Sequence, residues 1–412
     1  MLPEFRSMAL ARLSKSLTGS RAAFRVTLLM LGGKNMATRR FVALSLIAAG
    51  LALMVECEQA FSASPLPKAT VEMLRQLKLS PSILSDIDKE VQVPADWIEK
   101  AKKEGQLIFH VPPTSGEVST ASFEERYPFI KIEKQISSAR DRAIKTLVAF
   151  KGGRVLGDVL ESAGDAIVEF KKSNAMSDLR DIPTWGTVLD GLKDPDGLWV
   201  AQTASIYCMA YNTKLAKTAD LPKKWEDLPT ISAWKNGNLG LVDRPSNWIV
   251  GLWKLKGPEW TTQFMTRLFT ELKPQRRKEG QGAAIALLGT GEFNAHIPAS
   301  QSATFKQAEE GLPVSLHCPD PVPSNLSEQF IFRGAPHPYA AKIYVNWTLT
   351  KEGQLARQAL HYAPVHKDLQ RKEFIRYGDT IVGKQRAFFN INDEINLLPT
   401  ISPIWQKLWM GK

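Results

Sequence analysis

Hydroxyl, amide and guanidinium side chains recur just past the strand-like stretches of this sequence. Thr114 and Ser115 follow residues 106–111, Arg140 and Arg142 open the helical stretch after 130–136, and Ser162 follows 158–160. Arg244, Ser246 and Asn247 follow 238–243, Ser300 and Gln301 follow 293–298, and Arg333 ends 329–332. Tyr207 stands inside 200–211, the longest extended stretch. Hydroxyls at helix starts and arginine forks suit an oxyanion, because free backbone N–H groups point at negative charge and a guanidinium holds a carboxylate or phosphonate through parallel bonds. The same residue types also serve as helix caps and surface ion-pair partners.

Signatures of catalysis are missing. There is no GxxxxGK[ST] loop, no HExxH, no CxxC and no GxSxG. Gly289-Thr290-Gly291 lacks a strand before it. The six histidines are scattered, and His361 and His366 are spaced poorly for chelation on a helix. The expectation is no catalytic residue, no resident metal and no cofactor.

The elements that must position the candidate residues alternate. A helix at 97–104 ends at Gly105, and a strand at 106–111 follows. Helices at 119–127, 139–150 and 166–173 interleave with strands at 130–136 and 158–162. A second block contributes strands at 238–243, 293–298, 314–317 and 329–332, between helices at 248–255, 259–271, 283–288 and 304–310. A helix follows at 339–349. The tail from about 366 reads as helices and loops. Such alternation implies βαβ units and a mainly parallel sheet.

At 412 residues the chain has room for two or three domains. Its 44% hydrophobic and 23% charged content excludes a disordered or polytopic membrane chain. The net charge is +11, partly gathered in residues 1–63, and no Lys/Arg run marks a nucleic-acid arm. Arg39-Arg40, an uncharged stretch at 41–55 and Ala60-Phe61-Ser62-Ala63 have the layout of a secretory signal, too short for a permanent span. Glu56 before Cys57 is wrong for a lipidation site. Export would permit a Cys208–Cys318 bridge, but two buried free thiols are the plainer expectation.

Three ordered segments resemble the extracellular solute-binding proteins of ABC importers. These are Ala101-Lys102-Lys103-Glu104-Gly105-Gln106-Leu107, then Phe123-Glu124-Glu125-Arg126-Tyr127-Pro128, then Gly334-Ala335-Pro336-His337-Pro338-Tyr339-Ala340-Ala341-Lys342 running on to Asn346-Trp347 and Lys351-Glu352-Gly353-Gln354. Ala210-Tyr211-Asn212-Thr213 and Trp225-Glu226-Asp227-Leu228 fall between them in matching order, and the likeness covers about 95–365. The subgroup it is most similar to includes iron(III)-, polyamine-, thiamine- and phosphonate-binding members. Pro336 and Pro338 hold the chain extended before a helix whose Ala340-Ala341 allow close packing.

The resemblance implies an α/β, two-lobed periplasmic-binding-protein fold (type II) with crossing hinge strands and extra N-terminal helices. Residues 1–63 would be an extension and signal peptide, and 64–94 a helical extension. Lobe 1 would be 95–205 plus 330–365, and lobe 2 would be 206–329 plus 366–412. The ligand would sit beyond strand ends in the interlobe cleft, touched by Thr114, Ser115, Arg142, Ser162, Tyr207, Arg244, Asn247, Ser300 and Arg333. The expected function is a monomeric periplasmic receptor that captures a small organic anion and delivers it to an ABC transporter permease, with no nucleic acid bound. Iron(III) is the alternative, and it is weakened because no two of the seven tyrosines are adjacent and Tyr362 is remote in sequence. A secreted hydrolase on a similar scaffold and a ligand-sensing lobe are the other readings.

Overall fold

The computed structural model describes residues 65–111, 120–162, 166–371, 379, 381 and 383–411. Residues 1–64 lie outside the described residues, and the export signal falls there. All described elements belong to Pro65–Lys412.

Helices α1 (Lys68–Leu77) and α2 (Ile87–Glu90) come first. Helix α3 (Ala95–Glu104) buries Trp97 and Ala101 and stops at Gly105, whose φ of 71° is the left-handed cap that favours glycine. Strand β1 (Gln106–Val111), α4 (Ala121–Arg126), β2 (Lys131–Ile136), α5 (Ala139–Lys151), β3 (Val159–Glu161) and α6 (Ile167–Lys172) alternate as expected. Strand β4 (Val200–Asn212) then crosses into β5 (Leu239–Val242), α7 (Ile249–Lys256), α8 (Pro258–Arg267), β6 (Gln275–Arg277), α9 (Gln281–Thr290), β7 (Ala295–Ser300), α10 (Gln301–Glu309) and β8 (Val314–His317). The chain returns along β9 (Val322–Ile331) to α11 (Pro338–Leu349) and α12 (Lys351–Gln358), and ends in β10 (Arg386–Phe389) and α13 (Ile391–Met410).

The strand order is β2-β1-β3-β9-β4-β7-β5-β6, with β10 on β9 and β8 on β4. The two ends are parallel, as expected, but the middle is antiparallel: β9 pairs antiparallel with β3 and β4, and β4 with β7 and β8. The expectation of a mainly parallel sheet holds for the two ends and fails at the crossing strands. Two strands that carry the chain out of one half and back must run in opposite directions.

Two apolar clusters stabilise the sheet. One packs Phe109, Phe123, Phe330, Tyr344 and Trp347 around β1, β3 and α11 and continues to Phe305. The other gathers Trp225, Trp248, Phe264, Phe389 and Trp405 against α7, α8 and α13. Each fully buried side chain of this kind contributes roughly 1.5–3 kcal/mol. The Trp225 and Trp248 rings lie 5.0 Å apart and tilted, the offset geometry aromatic rings favour.

The N-terminal helices dock through carboxylates. Buried Glu352 accepts from Thr70 Oγ1 at 2.5 Å, from Arg126 Nη2 at 2.9 Å and from Trp347 Nε1 at 2.8 Å. Glu90 accepts from the Lys351 N–H at 2.7 Å, and its carbonyl accepts from Asn346 Nδ2 at 2.9 Å. The start of α11 is held the same way: Asp158 accepts from the His337 N–H at 2.7 Å, and Glu104 from the Ala340 N–H at 2.7 Å.

Cys208 and Cys318 form a disulfide, with Cα atoms 4.7 Å apart, which corrects the expectation of free thiols. They meet because β4 and β8 pair antiparallel, with Met209 opposite His317. Among the described residues, no helix is long and apolar enough to cross a membrane.

Candidate functional site

The register of the crossing strands locates the site. β3 ends at Glu161, opposite Gln329 of β9. β7 ends at Ser300, opposite Tyr207 of β4, and the neighbouring Ile206 lies opposite Ser324 of β9. The carboxyl ends of the two parallel sets therefore approach the same stretch of β9 from opposite sides. Ser324 and Gln329 are five residues apart, or roughly 17 Å at strand rise. Ligands of open α/β sheets bind beyond carboxyl strand ends, so this crevice is the candidate site.

On the β3 side, Ser162 has φ 52°, a left-handed conformation that costs a non-glycine residue about 1 kcal/mol or more. It is held there: its N–H donates to Glu328 O at 2.8 Å, and its hydroxyl lies 2.7 Å from Ser327 Oγ. Arg142, 1% exposed, donates Nε to Glu161 O at 2.9 Å, Nη1 to Ser137 O at 2.7 Å and Nη2 to Ser162 O at 2.7 Å. Its fork is thus turned inward onto the protein rather than presented to a ligand. Thr114 and Ser115 lie outside the described residues.

On the β5–β7 side, Arg244 is exposed at the mouth of the turn that carries half-buried Asn247. That turn is fixed from behind, because Asp243 Oδ1 accepts from Trp405 Nε1 at 2.7 Å. Half-buried Tyr207 has its phenol pushed up to about 12, first by burial, then by Tyr362 and Glu394, with Arg244 pulling it down. These four side chains therefore share one electrostatic neighbourhood. At neutral pH the Tyr207 phenol is a protonated donor. Ser300 caps α10, its hydroxyl accepting from Ala303 N at 3.3 Å, and this side chain is 8% exposed.

Arg333 does not join them. β9 runs antiparallel to β3, so its carboxyl end lies at the edge away from the crevice. There Arg333 is exposed, beside Ser177, Asp178 and Lys342. The strand register thus sets Ser162 on one flank of this stretch of β9, with Arg142 behind it, and Tyr207 and Ser300 on the other, where Arg244 and Asn247 follow β5; Arg333 stands apart.

Sequence reasoning missed three crevice residues. Tyr362 comes beside β4 because Ala204 and Ala363 exchange backbone hydrogen bonds of 3.0 and 3.1 Å. Glu394, in the first turn of α13, accepts from Asn325 Nδ2 at 3.0 Å. Glu328, 4% exposed, accepts from the Ile391 N–H at 3.3 Å, and burial, then Glu394 and Asp393, push its carboxyl up to about 7. The only local signal was the Asn390–Asp393 capping box that opens α13.

Glu90, His366 and Asp368 are close enough to suggest a metal. The chemistry argues for pairing instead. His366 Nδ1 accepts from the Asp368 N–H at 3.1 Å, and its Nε2 faces Glu90 Oε1 at 3.4 Å. Lys351 Nζ stands 3.4 Å from that same oxygen, a cation already in place.

Residues 119–379 match the family of bacterial extracellular solute-binding proteins. No curated protein sequence matches the chain significantly. Among solved structures, a putative extracellular solute-binding protein from Bordetella parapertussis is similar, with 14% identity, a TM-score of 0.62, and coverage of 74% of this chain and 99% of that one. Iron-bound HitA from Pseudomonas aeruginosa gives 19% identity and a TM-score of 0.57, covering 74% and 99%. Trichodesmium IdiA (FutA), in complex with iron and citrate, gives 14% and 0.59, covering 74% and 99%. The fold is that of the two-lobed periplasmic-binding proteins. This chain belongs to the bacterial extracellular solute-binding family. It is a receptor that captures a small ligand and works with the membrane permease of an ABC transporter.

Proposed function

We propose that the crevice takes a small organic anion, a carboxylate or phosphonate, with Arg244 as its charge partner. The observation that supports this is an exposed guanidinium left free beside a neutral phenol: among the described residues no carboxylate is bonded to Arg244, and the Tyr207 phenol, on which Arg244 acts electrostatically, is a neutral donor. Asn247 and the Ser162 hydroxyl add donors on either side. The finer picture is a chain exported by the 41–55 stretch and released near residue 63, monomeric, without affinity for nucleic acid and without catalysis. Its lobes are 95–205 plus 330–365 and 206–329 plus 366–412. Closure of such lobes on a ligand removes water and strengthens each polar contact.

One observation favours a second reading, iron(III). Tyr207, Tyr362 and Glu394 bring two phenols and a carboxylate, hard oxygen donors, into one neighbourhood. Iron would have to displace the Tyr207 proton, so its affinity would rise with pH. HitA and IdiA are the similar proteins whose structures hold iron.

Thermal shift with citrate, methylphosphonate, spermidine and ferric citrate separates the readings. A ligand at a hundredfold excess over Kd stabilises by about 2.7 kcal/mol. Stabilisation by citrate or methylphosphonate, with the compound recovered unchanged, supports the anion reading. A visible phenolate–iron absorption with ferric citrate alone supports iron. Time-dependent conversion of any compound would make the chain an enzyme and overturn both.

A further inference from the structure

Arg142 has the residue type and the place of a ligand contact, yet its guanidinium closes on three carbonyls of its own chain. Nε reaches Glu161 O at 2.9 Å, Nη2 reaches Ser162 O at 2.7 Å, and Nη1 reaches Ser137 O at 2.7 Å. Glu161 and Ser162 form the exit of β3, and Ser137 lies in the turn between β2 and α5. These two turns are separate stretches of backbone, and a single planar fork spans them. The charge is buried and, among the described residues, donates to no side-chain carboxylate; its anionic support is electrostatic, from Glu161, whose carboxylate is paired with Arg357 Nη1 at 3.2 Å. Ser162 sits in a left-handed conformation that a serine leaves unless it is held.

We infer that Arg142 is a positioning residue: its fork fixes the β3 exit and the β2–α5 turn against each other, so that Ser162 is presented to the crevice before any ligand arrives. A lysine keeps the charge but is a point donor without a fork, and cannot hold three carbonyls in one plane. The inference rests on the crevice being the binding site, but its test needs no ligand.

The experiment is hydrogen–deuterium exchange on the free full chain, comparing wild type, Arg142→Lys and Arg142→Gln. Loss of charged hydrogen bonds at a local opening accelerates exchange about tenfold or more. The expected result is that acceleration at 134–142 and 158–162 in both variants, with 107–111 and 340–349 unchanged. Wild-type rates at the two turns in Arg142→Lys would overturn the inference. So would uniform acceleration across all four segments, which marks an ordinary core residue. Should Arg142→Gln fail to fold, Arg142→Lys decides alone. Failure of the ligand screen with this exchange pattern intact would sink the anion reading and leave the positioning role standing.

Discussion

The hydroxyl oxygens of Ser162 and Ser327 lie 2.7 Å apart, joining the exit of β3 to the crossing strand β9. The bond ties the rim of one half to a strand that runs on into the other. Ser327→Ala removes one hydrogen bond between half-buried groups and is expected to destabilise by about 1 kcal/mol in urea unfolding. No loss of stability would show that the contact is replaced by water.

Arg244→Gln separates binding from folding. The guanidinium has no carboxylate partner among the described residues, so stability should stay within about 0.5 kcal/mol of wild type. Affinity for whichever anion the thermal screen identifies should fall about 10- to 100-fold, the loss of a charge-assisted bond. Calorimetric titration checks this, and unchanged affinity would remove Arg244 from the site.

Two buried groups give stability opposing pH dependences. Glu328, raised to about 7, binds its proton more tightly folded than unfolded, so its stabilising contribution is present below the usual carboxyl range and is lost as pH rises toward 7. His296, lowered to about 4 by burial, does the reverse: stability falls as pH drops from about 6.5 toward 4, because the unfolded chain takes the proton first. Glu328→Gln should therefore flatten the fall between pH 5 and 7 and leave the acid limb. Denaturation midpoints across pH test it, and an unchanged profile would contradict the buried, near-neutral carboxyl.

The Cys208–Cys318 bridge closes a sequence separation of 110 residues. Replacing both cysteines with alanine should cost about 3–5 kcal/mol, and a reductant should reproduce the loss in the wild-type chain. Insensitivity to reductant would mean that the bridge does not form.

Much of the fold was legible because period and punctuation agreed. Gln106–Val111 was found to the residue, stopped by Gly105 on one side, and the start of the long strand was placed at Val200. The segment around His337 carried its own reasons: prolines hold it extended, Ala340 and Ala341 are fully buried, and a Cβ on Gly353 would stand 2.1 Å from Trp347 O. What failed was mostly proline. β9 begins at Val322, seven residues earlier than expected, because Pro321 and Pro323 read as a loop. α13 runs through Pro399 and Pro403, since burying Ile401, Trp405 and Trp409 outweighs the lost backbone bonds. The candidate site is legible only where it follows strand ends. Strand ends point to Ser162, Arg244 and Asn247 as candidates, but nothing local says that Tyr362 lies beside β4 or that Glu394 reaches Asn325. Arg333 was misplaced because an antiparallel strand turns its carboxyl end away from the crevice.

Native mass spectrometry of the purified chain, before and after mild denaturation, tests the receptor most directly. One small molecule per chain should be released on unfolding, with rebinding of the same unaltered compound on refolding. A chain that carries nothing and binds none of the four screened compounds, or one that chemically changes any of them, would contradict the account.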